Sequence, residues 1–129
     1  MAIQVGAQPF PTLMGVEVVE ADKTRVTGRL TVRDDLCTSG QILHGGALMA
    51  FADSLGAIGA SLNLRPGQGT TTLESKTNFL GAARVGETIT GETTPLHVGR
   101  RSSVWQTRIT NPQGRLIAMV TQTQMVLED

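Results

Sequence analysis

Residues 43–64 read LHGGALMAFADSLGAIGASLNL, and this stretch decides the fold. From Gly45 onward it is rich in Ala, Leu and Met, it contains no Pro, and Ile58 is its one β-branched residue, a composition that favours helix. Asn63 followed by Arg65-Pro66-Gly67 is a helix stop signal. We therefore predict one long helix over residues 45–64. Because it is apolar nearly all round, the rest of the chain must cover most of its surface.

Strand patterns lie on both sides of this helix. Before it, residues 16–19 and 24–32 alternate in polarity around a turn at Ala21-Asp22-Lys23, which predicts a hairpin. After it come four further strand-like segments, at residues 70–80, 86–96, 101–110 and 115–127. Strands joined by short turns pair antiparallel. The predicted fold class is α+β, with a curved antiparallel sheet of about five to six strands wrapped around one long helix.

The composition predicts a single domain over residues 1–129, with residues 1–13 as an irregular or short-helical lead-in. Hydrophobic residues make up 40% of the chain, enough for one core, whereas charged residues make up only 17%. A surface with so few charges is expected to be partly buried against copies of the same chain. The 11 basic and 11 acidic residues cancel, which argues against a nucleic-acid or anionic-membrane surface but leaves a local anion site open.

Several patterns indicate a reducing, cytoplasmic setting. Cys37 is the single cysteine, so no intrachain disulfide can form. The start, residues 1–5, lacks the basic and apolar segments of a signal peptide. Residues 45–62 are a short and weakly hydrophobic candidate for a membrane span, so a buried helix is expected there. His44 and His97 are the only histidines and no close Cys/His/acid spacing occurs, so no metal site is expected.

The predicted helix begins with an unusual triplet, His44-Gly45-Gly46. Glycine inside a helix costs about 1 kcal/mol relative to alanine, but it allows close backbone approach. At a helix start it also presents free N–H groups at the positive end of the helix dipole. Such a place suits an oxygen that becomes negatively charged during a reaction. The alternative interpretation is a tight turn where the helix meets another backbone.

Asp53 is the only charged residue between His44 and Arg65. Its neighbours three and four positions away on the helix are Ala50, Met49, Gly56 and Ala57, all small or apolar. Burying a carboxylate in such surroundings is costly, and groups placed in this way are often catalytic. The alternative is a surface aspartate on a partly exposed helix face.

These features together resemble the PaaI-like hotdog thioesterases, which are related to the 4-hydroxybenzoyl-CoA thioesterases with an acid on the central helix. The resemblance rests on three runs: residues 43–57, residues 74–83 (ESKTNFLGAA) and residues 95–101 (PLHVGRR). It covers roughly residues 14–127 and has the same element order. It implies a hotdog fold and hydrolysis of an acyl- or aryl-CoA thioester, with coenzyme A as part of the substrate and no separate cofactor.

The resemblance also implies roles for individual residues. Asp53 would be the catalytic carboxylate, as a nucleophile or as the base for a water, and the Gly45 N–H would polarise the thioester carbonyl. His44 and Gly46 would shape that end of the site. The family usually has Asn or Gln six residues before the histidine, but this chain has Thr38, whose hydroxyl has a shorter reach.

Further residues are implied around the substrate. A serine or threonine about eighteen residues after the acid would lie near the water, and the matching residues are Thr71 and Thr72, which are also ordinary strand residues. CoA phosphates need a basic site, and forked arginine donors suit them. The candidates are the turn Gly99-Arg100-Arg101-Ser102 and, second, Arg84.

In such enzymes two subunits form each site, so a homodimer is the minimum unit and a homotetramer is expected. Two other functions stay open. One is a hotdog dehydratase or hydratase, although the Asp-x-Asn-Pro-x-His pattern of the hydratases does not occur. The other is a non-catalytic acyl-CoA binding protein, which the departure at Thr38 leaves possible.

Overall fold

A computed structural model describes residues 8–128 and contains two helices, a one-turn 3-10 helix and six strands. The elements are α1 (Pro9–Met14), β1 (Glu17–Asp22), β2 (Arg25–Thr31), the 3-10 turn (Asp34–Leu36), α2 (Gly45–Leu62), β3 (Gly69–Phe79), β4 (Thr88–Val98), β5 (Ser102–Thr110) and β6 (Leu116–Leu127). The predicted helix and the predicted strands are confirmed. Helix α2 ends two residues early because Asn63 caps it, with its side-chain amide donating to Gly59 and Lys23 carbonyls.

The lead-in is short-helical in its described part. Helix α1 starts with Pro9, a residue that suits the first turn of a helix, and stops at Gly15, whose φ of 91° is left-handed. Residues 1–7 of the predicted lead-in lie outside the described residues.

The six strands form one antiparallel sheet in the order β1-β2-β4-β5-β6-β3. Strand β3 therefore pairs with the last strand of the chain and not with its sequence neighbour β4. It closes one side of the sheet and has no partner on its outer side among the described residues. Since β3 runs for eleven residues, this edge presents a long row of unpaired backbone groups.

Helix α2 packs against all six strands and supplies the centre of the core. Leu48, Phe51 and Leu55 of the helix are almost completely buried against apolar strand residues. Glycines set how closely helix and sheet approach: a Cβ at Gly59 would come within 2.7 Å of the ring of Trp105, which is fully buried. Although α2 is long and apolar enough to cross a membrane, half of it is buried in this way, as in the core helix of a folded domain.

Candidate active site

The N-terminus of α2 is capped by the side chain of His44. Its Nδ1 accepts a hydrogen bond from the Gly46 N–H at 2.8 Å, so in the neutral ring the proton sits on Nε2. The His44 carbonyl accepts the N–H groups of Ala47 and Leu48. Within residues 8–128 the Gly45 N–H meets no acceptor, which leaves one donor free at the positive end of the helix.

Gly45 lies directly beside the edge strand β3. A Cβ at this position would stand 3.1 Å from the ring of Phe79, an exposed residue at the end of β3. A side chain at this position would therefore require the Phe79 ring to shift by a few tenths of an ångström. The free N–H and the strand edge meet at one place on the surface.

Asp53 lies eight residues further along α2 and is half-buried. Its Oδ1 accepts two hydrogen bonds, one from the Thr72 hydroxyl at 2.6 Å and one from Gln122 Nε2 at 3.0 Å. Its Oδ2 meets no donor within the described chain. One oxygen of the carboxylate is thus fixed and the other is free to react.

The two candidate threonines of β3 differ. Thr72 contacts Asp53, whereas Thr71 is exposed and points to the other face, as the alternation along a strand requires. Thr70, two residues before Thr72, faces the same side as Thr72 and contacts Gln124.

Gln122 and Gln124 of β6 were not singled out by the sequence reasoning. Both side chains are buried, with exposed fractions of 0% and 1%, and Gln124 Nε2 donates to the Thr72 hydroxyl oxygen at 2.6 Å. They occupy alternate positions of β6 on the same face as Val120. Two amides at inward positions of a strand were the signal that could have identified them.

The side chain of Thr38 forms its hydrogen bond within the loop that precedes α2. The Thr38 hydroxyl oxygen accepts the Gly40 N–H at 3.2 Å, and its backbone pairs with Ile42 and Gln41. Gln41 is exposed and is the one non-glycine residue of the described chain with a positive φ, 62°. A side chain in this region costs about 1 kcal/mol or more, and such strain clusters at functional sites.

Asp53 and Gly45 do not meet within one chain. With a rise of about 1.5 Å per residue, eight residues place them roughly 12 Å apart along the α2 axis. A thioester carbonyl bound at the free N–H of Gly45 is therefore out of reach of the carboxylate in the same chain. The two residues that the sequence assigns to one site are therefore separate within one chain.

A cavity of about 780 Å³ lies at the C-terminal end of α2. Its lining includes Gly99, Arg100 and Arg101, as the sequence predicted for an anion site, and it adds Arg65. Glu128 is its one carboxylate among residues 8–128. Three arginines line the groove against this one described carboxylate, and arginine donors suit phosphate.

The other predicted basic residues are placed differently. Ser102 does not line this cavity and instead closes the turn, its carbonyl accepting the Gly99 N–H at 2.9 Å. Arg84 is exposed near the N-terminal end of α2. Its backbone forms an isolated antiparallel β-bridge with Ile42, in the loop before the helix. The two basic candidates therefore belong to different ends of the chain's central helix.

A smaller cavity of about 380 Å³ lies beside the start of α2, lined by Phe10 and Leu13 of α1 and by His44, Gly46 and Cys37. Partial burial and the nearby carboxylates of the 3-10 turn raise the pKa of the Cys37 thiol, which disfavours its nucleophilic thiolate form. Residues 8–128 contain no group of three or more His, Cys, Asp or Glu side chains arranged to hold a metal.

A known protein family matches the part of the chain that contains this candidate site. The family described as "Thioesterase superfamily" matches residues 40–118, more than half of the chain, including the α2 entry and Asp53. The chain belongs to the thioesterase superfamily.

Individual members of this superfamily are similar along most of the chain. A 1,4-dihydroxy-2-naphthoyl-CoA hydrolase from Escherichia coli is 36% identical over 86 residues, 67% of this chain and 62% of the relative. A hydrolase of the same name from Listeria monocytogenes is 26% identical over 106 residues, 82% of this chain and 85% of the relative. The chain spans less than two thirds of the length of several curated relatives, between 53% and 62%.

Solved structures of other proteins share the fold. A thioesterase from Haemophilus influenzae superposes with a TM-score of 0.86 and 26% identity, over 92% of this chain and 82% of that one. The Escherichia coli PaaI protein superposes with a TM-score of 0.83 at 22% identity, over 89% and 81%. These likenesses confirm the predicted hotdog fold, and the family match confirms the predicted resemblance to the thioesterases.

Proposed function

We propose that this protein hydrolyses acyl-CoA thioesters to a free acid and CoA, with Asp53 as the reacting carboxylate. The observation that carries this proposal is the carboxylate itself. Two donors hold one of its oxygens, while the other lies unpaired on a half-buried helix face. An ionised carboxylate with one free oxygen can attack a carbonyl carbon or take a proton from water.

Both routes begin with the thioester carbonyl oxygen at the Gly45 N–H, where the helix dipole and the His44 Nε2–H favour the developing negative charge. In the nucleophilic route, Asp53 attacks the carbonyl carbon, the C–S bond breaks, the thiolate leaves and water hydrolyses the resulting anhydride. In the general-base route, Asp53 takes a proton from a water that attacks the same carbon. Either route consumes one water and yields one acid and one thiol.

A homodimer is the smallest assembly that can work in this way. The Asp53 carboxylate and the Gly45 N–H are roughly 12 Å apart along the axis of one helix, so a second chain must supply one of them. The unpaired edge of β3 offers the place, because two such edges can pair antiparallel around a twofold axis. The exposed apolar side chains of Leu73, Phe79 and Leu80 lie along this edge or directly after it.

The positions of the two groups along β3 suggest the register of that pairing. Asp53 is level with Thr72, and Gly45 is level with Phe79. An antiparallel pair that sets Thr72 of one chain opposite Phe79 of another, with the extra residue of the bulge between Thr72 and Glu74 left unpaired, has its twofold axis at Lys76. This register would place each carboxylate beside the free N–H of the other chain. The resemblance further implies that two dimers form a tetramer, which sedimentation velocity would distinguish from a dimer.

The groove at the C-terminal end of α2 is the proposed site for the phosphates of CoA. Arg65, Arg100 and Arg101 surround it with cationic donors. Phosphates dominate the charge of CoA, and bidentate arginine contacts suit them. These arginines would lower KM through substrate binding and would leave the rate of the chemical step unchanged.

A thiol-release screen tests the proposed function. The panel contains short, medium, long and aromatic acyl groups, the aromatic ones because the Escherichia coli and Listeria relatives are named naphthoyl-CoA hydrolases. Each acyl group is offered on CoA and on pantetheine, which lacks the nucleotide phosphates. We expect hydrolysis of both, with KM at least about tenfold lower for the CoA form and this preference lost in Arg100→Ala/Arg101→Ala.

Three outcomes of the screen would contradict the proposal. Tight acyl-CoA binding without thiol release would indicate a binding protein. Loss of enoyl absorbance from an enoyl-CoA, without thiol release, would indicate a hydratase. Equal KM values for CoA and pantetheine thioesters would refute the phosphate role of the arginine groove while leaving the thioesterase assignment intact.

A further inference from the structure

We infer that Gln122 and Gln124 of β6 are positioning residues for the reaction, which, through Thr72, fix Asp53 so that its Oδ2 is the oxygen that reacts. This inference rests on the proposed function and adds the parts of the chain that hold the carboxylate in place. Neither glutamine reaches the outside of the protein, since their exposed fractions are 0% and 1%. They act through the carboxylate and not by touching a substrate.

The hydrogen bonds between these residues have a fixed direction. Gln124 Nε2 can only donate, so the Thr72 oxygen accepts from it at 2.6 Å and the Thr72 proton is left to point at Asp53 Oδ1, also at 2.6 Å. The Thr70 hydroxyl lies 3.0 Å from both the Gln124 Oε1 and the Met125 carbonyl, and its one proton can be donated to either. Gln124, Thr72 and Asp53 form one directed chain of donors, which we call the threonine–glutamine relay.

Gln122 supplies the second donor to the same carboxylate oxygen. Its Nε2 lies 3.0 Å from Asp53 Oδ1 after its side chain has crossed the face of α2 at Gly56. A Cβ at Gly56 would overlap the Gln122 amide, so a glycine in the middle of the helix is what lets this side chain through. Mid-helix glycine costs about 1 kcal/mol relative to alanine, and here the Gln122 amide occupies the space that a Cβ would fill.

The oxygen of the Gln122 amide also indicates that Gln122 has a role beyond packing. Its Oε1 is buried and, within the described residues, has no hydrogen-bond partner. Buried polar atoms without partners are rare and destabilising, so each one calls for an explanation. An apolar side chain of the same length would avoid this cost. The gain that offsets it is the donor that Gln122 gives to Asp53.

Both donors converge on Oδ1, and this decides which oxygen can react. An oxygen that accepts two hydrogen bonds is a weaker nucleophile and base than one that accepts none. Oδ2 receives no hydrogen bond in the described chain. The relay and Gln122 therefore fix the rotation of the carboxylate and direct Oδ2 away from β3 and β6.

Gln122→Met is the direct test, with the matched variant Gln106→Met as its control because Gln106 lies on the opposite face of the neighbouring strand β5. We expect kcat for a hydrolysed acyl-CoA to fall about 10- to 100-fold, the loss of one hydrogen bond to a charged group, with KM changed less than about twofold. The melting temperature should hold or rise, since methionine removes the unpaired Oε1. Gln106→Met should keep the parent kcat.

A pair of variants at position 124 tests the direction of the relay. Gln124→Met removes a donor but leaves the Thr72 proton on Asp53, so kcat should fall less than about fivefold. In its ionised form Gln124→Glu introduces a group that only accepts, which draws the Thr72 proton away from Asp53, so kcat measured at a pH where the new carboxyl is ionised should fall at least about tenfold further. Circular dichroism and melting curves establish that each variant is folded before kcat is compared.

Several results would overturn the inference. Parent kcat in Gln122→Met, or a lower melting temperature with unchanged kcat, would make Gln122 a structural residue only. Equal kcat values for the two position-124 variants would refute the directed relay. If Asp53→Asn itself keeps the parent rate, the failure lies in the proposed role of Asp53 and is separable from that of the glutamines.

Discussion

Asp53→Asn is expected to lower kcat for acyl-CoA hydrolysis by about a thousandfold, within the range of general-base and nucleophilic contributions. Asparagine has the same shape, and its side-chain oxygen can still accept from Thr72 and Gln122 at the position of Oδ1. The amide nitrogen then replaces the free oxygen, and it can neither attack a carbonyl nor take a proton. Steady-state kinetics on the best substrate of the screen measures the effect.

The matched control is Asp34→Asn, an exposed aspartate of the 3-10 turn. Both variants should melt at the parent temperature, because neither loses a packed group. Parent-like hydrolysis by Asp53→Asn across the whole acyl-CoA panel would remove Asp53 from the chemistry. Loss of folding in this variant would be unexpected, since its hydrogen-bond acceptor is retained.

Gly45→Pro should lower kcat by roughly 100- to 1,000-fold, as removal of an oxyanion donor does. Proline deletes the backbone N–H at the first residue of α2, where a helix tolerates it. The residue before it, His44, already has an extended backbone with φ −62° and ψ 139°, which a following proline requires. The substitution therefore removes one donor at little conformational cost.

Gly45→Ala is the control that separates the N–H from the side chain. It keeps the donor but adds the Cβ that meets the Phe79 ring at 3.1 Å, so any steric effect is shared by both variants. We expect alanine to retain most of kcat. Equal losses in the alanine and proline variants would mean that space beside Phe79, and not the N–H, is what the reaction needs.

The sequence predicted the elements well because their signals are local. The apolar helix over residues 45–64 and the alternating strands carry their patterns in consecutive residues. The position of β3 beside β6 is not local, since it depends on which strand the chain returns to after crossing the helix. Hydrophobic alternation is the same for any order of strands, so it could not predict this pairing.

The residues of the candidate site also divide into those with a local sequence signal and those without one. Asp53 and the glycine entry stand out within a single helix, and Thr72 was one of two candidates that the family resemblance implied. Gln122 and Gln124 stand at inward positions of one strand, but their link to Asp53 depends on the β3–β6 register, which sets Thr72 opposite Gln124 and Ser75 opposite Gln122. Glutamine has no reactive group of its own, so only its contact with Asp53 gives it a role. These contacts depend on the tertiary structure and cannot be predicted from consecutive residues.

In the proposed mechanism, Asp53 of one chain and Gly45 of another form each active site. Co-expression of Asp53→Asn and Gly45→Pro chains with different affinity tags allows the mixed dimer to be purified in two steps. Each single variant should be nearly inactive. The mixed dimer contains one site with both groups intact, so it should hydrolyse acyl-CoA at about half the parent rate per dimer. A mixed dimer as inactive as its two parents would contradict the shared site.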